Sequence, residues 1–138
     1  MKPETAAFLD KCEDFLDRAP ALLTAGFTDD SGRAAYHAGF HAAQARIFEK
    51  QGRSPKTHSG VQAAFALLVK DVPSIDRDIR GFLGRTCNLK AIADYETGPG
   101  AKVMTAQATE AIAAVRRFVA AIVALIPGAR DHAGTPPA

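Results

Sequence analysis

Between Ala34 and Ala45 the chain places seven residues no larger than alanine: Ala34, Ala35, Ala38, Gly39, Ala42, Ala43 and Ala45. A helix this slender lets its neighbours come close, because little side-chain volume keeps the backbones apart. Tyr36, Phe40, Ile47 and Phe48 supply bulk on the same segment, which therefore reads as the central helix of a bundle. Thr28, Asp29, Asp30 and Ser31 offer N-caps and an acidic first turn, and Gly52, just after Gln51, closes the helix.

The remaining apolar residues keep the same period, and no run alternates β-branched residues as a strand would. Phe8, Cys12, Phe15 and Leu16 recur at spacings of three and four, giving a first helix with Asp10, Asp14 and Asp17 on its wet face. Pro20 lacks an amide donor and crowds the preceding turn, so a kink or a fresh start is expected there, with Leu22 and Leu23 facing the core and Gly26 ending the segment. A third helix begins near Thr57, carries Val61, Phe65, Leu68 and Val69, and stops at Pro73. Ser74 is placed to cap a fourth, running through Ile75, Ile79, Phe82, Leu83, Leu89 and Ile92 to near Tyr95, before the breaker Thr97-Gly98-Pro99-Gly100. The fifth runs from about Ala101 to Ile126, with Ile112, Val115, Phe118, Val119, Ile122 and Val123 on its apolar face and Arg116 and Arg117 off it. The expected architecture is all-α: an up-and-down helical bundle of four to five helices over residues 1–127, followed by a disordered tail over 128–138 that has no apolar periodicity and ends in two prolines and an alanine.

Size and charge narrow the function. A chain of 138 residues with 47% hydrophobic and 23% charged residues fits one globular domain. The net charge of +2 comes from scattered basic residues, so binding RNA would need a local patch rather than a polybasic arm. Met1-Lys2-Pro3-Glu4 contains no apolar signal region, and the stretch from Phe118 to Ile126 is far short of the roughly 20 residues that span a bilayer. A cytoplasmic protein without a membrane segment is expected. Cys12 and Cys87 lack the spacing of a disulfide scaffold or a zinc site and read as buried free thiols.

Polar residues with little structural reason to be where they are fall in three places: Arg33, Tyr36, His37 and His41; Lys56, Thr57, His58, Ser59 and Gly60; and Lys90 to Tyr95. His37 and His41 have the i, i+4 spacing of metal ligands, but neither an acidic residue nor a third histidine accompanies them on that helix face, so neither a metal nor any other cofactor is expected. Tyr36 and Phe40 suit packing. Thr57 or Ser59 suits capping of the third helix, with His58 bonding across to the second or fourth. Asp94 stands at a helix carboxyl end, where the carbonyl dipoles oppose it, so a cation such as Arg33 or Lys56 should offset it and tie two helices together.

The order of three segments carries a resemblance. Arg33-Ala34-Ala35-Tyr36-His37-Ala38-Gly39-Phe40-His41-Ala42-Ala43, then Lys56-Thr57-His58-Ser59-Gly60-Val61, then Ala93-Asp94-Tyr95, resembles the small bacterial and archaeal branch of the HEPN family, over roughly residues 5 to 126. The resemblance implies a helical bundle that dimerises, often paired with a minimal nucleotidyltransferase as the toxin of a toxin and antitoxin system. It also implies a metal-independent ribonuclease site made of an arginine, four to six intervening residues and a histidine, presented from both protomers. Arginine grips a phosphate bidentately, and histidine moves a proton near neutral pH.

Here the arginine position falls on Lys90 and the histidine position on Tyr95. A lysine still holds phosphate as a point charge, whereas a tyrosine, with an unperturbed pKa of about 10, is a poor base at neutral pH, which leaves Asp94 as an alternative base. Two readings follow. In the first, the chain is a toxin acting on RNA, a HEPN-type endoribonuclease with a degenerate motif: Lys90, Asp94 and Tyr95 do the chemistry, and Arg33, Tyr36, His41, Lys56 and His58 bind the RNA or a nucleotide. In the second, the same surface is a non-catalytic module that holds a nucleotide or a nucleotidyltransferase partner. The resemblance further makes Tyr95 a candidate for modification by that partner.

Overall fold

A computed structural model describes residues 1–95, 97–98 and 101–129. The chain folds as an up-and-down bundle of five helices, α1 (Pro3–Thr24), α2 (Thr28–Gln51), α3 (His58–Val69), α4 (Arg77–Tyr95) and α5 (Thr105–Val123), with no strand among the described residues. None of these helices is long and apolar enough to cross a membrane.

α2 is the hub, packing against all four of the others. Its small residues make this feasible: Ala35, Ala38, Ala42, Ala43 and Ala45 are each 0% exposed. Gly39 faces α4 so closely that a Cβ there would collide with the Phe82 ring, and a Cβ at Gly32 would lie 3.3 Å from Val103. Beyond this seam the aromatic core stacks outward. Phe82 of α4 lies 4.8 Å from Phe118 of α5 between ring centroids, and Phe118 lies 5.3 Å from Phe65 of α3. Three helices thus meet at Phe118, where aromatic pairing adds to the burial of apolar area.

Helix ends account for where the boundaries fall. Gly52 adopts φ 74° and donates its N–H to the Phe48 carbonyl at 2.7 Å, a left-handed C-cap that glycine adopts without strain. Thr57 Oγ1 accepts the Gly60 N–H at 3.0 Å and caps α3. The cap of α4 is Asp76 rather than Ser74, since Asp76 Oδ1 accepts the Ile79 N–H at 2.9 Å and the turn before it is used to bury Ile75. The α2 N-terminus has no side-chain cap; Asp29 instead accepts the Val103 N–H at 2.7 Å, pinning the segment before α5. That segment stays non-helical until Thr105, so α5 starts later than its apolar pattern alone suggests.

Pro20 does not divide α1, which is one helix from Pro3 to Thr24 with the proline inside it. Tertiary contact outweighs the local cost there. Ala19 is buried, and its carbonyl accepts the Ser31 hydroxyl of α2 at 2.7 Å, so this stretch is held in place as helix. At the other end, Ile126 and Ala129 are buried with the core, so packing extends two residues past the boundary expected at 127. The disordered tail expected beyond it lies, from Arg130 to Ala138, outside the described residues. Both cysteines are free: Cys12 is buried, and burial, with a smaller push from the Glu13 charge, raises its thiol to about 12, whereas Cys87 is only half-buried.

Candidate functional site

The helical period of α2 puts Arg33, His37 and His41 at four-residue intervals, one above the other along its surface. The first of these reaches α4. Arg33 Nε donates to Asp94 Oδ1 at 2.6 Å, Lys90 Nζ donates to Asp94 Oδ2 at 2.6 Å, and Arg33 also pairs with Asp30 one turn before it. The carboxylate at the α4 carboxyl end therefore faces two cations, one in its own helix and one across the interface, which overcomes the unfavourable dipole. Lys56 is not among them. It is exposed, with no described hydrogen bond or ion pair to the group.

The side chains of this group are partly shielded, 32% exposed for Arg33, 14% for Lys90 and 20% for Asp94, so solvent still reaches them. The Lys90 hydrogen bond holds the Asp94 carboxyl below the usual carboxylate range; partial burial works against this and Arg33 works with it. Asp94 in turn raises the Lys90 ammonium above its ordinary value. With both oxygens engaged and its basicity lowered, Asp94 is a better anchor than a proton acceptor. Tyr95 projects its phenol outward, 76% exposed, and the Lys90 ammonium lies 5.3 Å from its ring centroid.

Beside the ion group lies an aromatic cluster that no single helix reveals. Phe15 of α1 packs on His37 and His41 at centroid distances of 5.3 and 5.6 Å, and His58 of α3 closes on His37 at 6.3 Å and on Phe40 at 4.9 Å. Tyr36 is fully buried, and its hydroxyl lies 2.8 Å from His58 Nδ1. His41 Nδ1 bonds to Gln44 Oε1 at 2.8 Å. His37 was part of the sequence pattern but not among the expected binding residues; its place between His41 and His58 comes from tertiary packing. The third histidine absent from α2 comes from α3, yet among the described residues no three His, Cys, Asp or Glu side chains converge as a metal ion requires.

All three imidazoles are pushed toward the neutral form. Burial is the main cause for His37, with like charge from His41, Lys90 and His58 adding to it, and its pKa falls to about 4. Burial also lowers His41, partly offset by its bond to Gln44, and lowers His58 together with the charge on Lys90. Burial and the neighbouring Cys87 raise the Tyr36 phenol to about 12, so it stays protonated. The face thus combines two cations clamped on one carboxylate with neutral imidazoles able to accept protons.

A compact five-helix domain with a charged α2/α4 junction and a ring cluster capped by the α3 N-terminus is the class that fold and site define. The sequence matches the HEPN domain model over residues 5–126, and the chain belongs to the HEPN family. It is also 30% identical over 97 residues to a protein of Methanocaldococcus jannaschii named as a putative toxin, a match covering 70% of this chain and 72% of that protein.

Proposed function

We propose that this chain is the toxin of a toxin and antitoxin pair and acts on RNA through the face formed by Arg33, Lys90, Asp94, Tyr95 and His58, with His41 and Lys56 at its margins. The observation that carries this reading is the hydrogen-bonded group Arg33, Asp94 and Lys90, in which Arg33 of α2 meets the α4 stretch Lys90 to Tyr95 on which the family resemblance puts its RNA-cutting pair. The naming of the archaeal relative supports the toxin role. A homodimer presenting two such faces to one cleft, a minimal nucleotidyltransferase as antitoxin, and a cytoplasmic setting belong to the same reading. The exposed Tyr95 phenol suits modification by that partner.

One observation favours the non-catalytic module instead. Arg33 is matched by Asp30 and Asp94, and Lys90 by the same Asp94, so the group carries no surplus positive charge with which to draw in a phosphate chain. Inducing the wild-type chain, Lys90→Ala and Asp94→Ala in cells, with folding checked by circular dichroism, separates the readings. Growth arrest with RNA cleavage, lost in both folded variants, is the expected result. Normal growth and intact RNA with the wild type would leave only the binding module.

A further inference from the structure

Cleaving an RNA strand without a metal at neutral pH needs a group that takes the proton of the attacking 2′-hydroxyl. We propose that His58, carried by α3 onto the α2/α4 face, is the catalytic base; the proposal rests on the RNA-acting reading above. The other candidates are excluded by their surroundings. Both Asp94 oxygens are engaged by Arg33 and Lys90. Tyr95 has no described hydrogen bond to activate it. His41 is committed to Gln44 and stacked on Phe15. His37 is half-buried and binds a proton only near pH 4.

His58 is more open to solvent than the other two imidazoles. It is exposed at the first position of α3, where the Thr57 cap fixes the backbone, and its Nδ1 is held by the Tyr36 hydroxyl. No described hydrogen bond occupies its Nε2. The groups facing it are Tyr36 and His37 from α2 and Lys90 and Asp94 from α4; Lys90 favours the neutral ring and Asp94 partly opposes this. The neutral imidazole is the form that can accept a proton.

In the step, Nδ1–H donates to the Tyr36 oxygen while the Tyr36 hydroxyl turns to the Cys87 sulfur, which is near enough to raise its pKa. Nε2 takes the 2′-hydroxyl proton, the 2′-oxygen bonds to the adjacent phosphorus, and the bond from phosphorus to the 5′-oxygen breaks. The leaving oxygen takes a proton from water, and the imidazolium returns its own to the hydroxide left behind. The products are a 2′,3′-cyclic phosphate and a 5′-hydroxyl. Lys90 and Arg33 oppose the charge that develops on the phosphate oxygens. Tyr36 acts through His58 and is a positioning residue.

The test is cleavage of a short RNA by the purified full-length chain between pH 4.5 and 8, with the 2′-deoxy analogue measuring binding alone. The wild-type rate should rise to a plateau through an apparent pKa below 6.5. His58→Gln should lose on the order of 10²–10⁴ in rate, far more than any loss in analogue binding. Tyr36→Phe should move the acid limb to lower pH, since the imidazolium loses its acceptor, a shift that a purely structural role would not produce. Cleavage by His58→Gln within a few-fold of wild type would overturn the assignment and leave the RNA reading standing, whereas a wild type that leaves RNA intact would overturn both.

Discussion

α2 meets α4 in two ways. At Gly39 the Phe82 ring lies against bare backbone and continues into Phe118 and Phe65, so that contact is apolar, buried and set by shape. Near the α2 N-terminus, Arg33 meets Asp94, which Lys90 holds from its own helix, and that contact is charged, partly wet and set by hydrogen bonds. Close packing penalises any change of volume in the first contact, whereas exposed ion pairs contribute only about 0–1 kcal/mol, so the second adds little to the stability of the fold. The same pair of helices is held together by shape at one level and by charge at the other.

The largest effect should come from removing the hub of the dry contact: Phe118→Ala is expected to cost about 3–5 kcal/mol in urea unfolding, because it empties the space among Phe65 and Phe82. Next comes acid. His37 titrates at about 4 in the folded chain and near its ordinary 6.5 when unfolded, so the unfolded state takes up the extra proton. Stability from this group should be undiminished above pH 6.5, fall as pH drops from there toward 4 by roughly 3 kcal/mol at most, and level off below; His37→Gln should flatten that slope in pH-dependent melts. Gly39→Val should cost about 2 kcal/mol through overpacking against Phe82, with the loss relieved in combination with Phe82→Leu. Asp94→Asn should cost the least, about 1 kcal/mol or less, and a loss as large as that of Phe118→Ala would erase the distinction between the two contacts.

Much of the fold was legible because local and tertiary signals agree: Gly52 and Thr57 end and start helices as their chemistry suggests, and the alanines of α2 mark the hub. Where they disagree, tertiary contact prevails. Pro20 is carried inside α1 beside the Ser31 bond, and Asp29 leaves its expected capping role to hold Val103. The Arg33 to Asp94 bridge could be anticipated from a carboxylate facing the wrong end of a dipole, a local anomaly that needs a partner. A bond from His58 across to the second or fourth helix was expected, but its convergence with Phe15 and His37 was not legible, because the three come from three helices. Tyr36 and Phe40, four apart, suited packing, and both are buried; that the Tyr36 hydroxyl is the group His58 bonds across to is set by the tertiary fold.

The most direct test of the division between a contact that holds the fold and a contact that serves function is the Lys90→Ala/Asp94→Ala double variant, measured for its unfolding midpoint and for growth on induction. The expected result is a midpoint within about 4 °C of wild type together with loss of growth arrest. A collapsed midpoint, or undiminished arrest by a folded double variant, would contradict it.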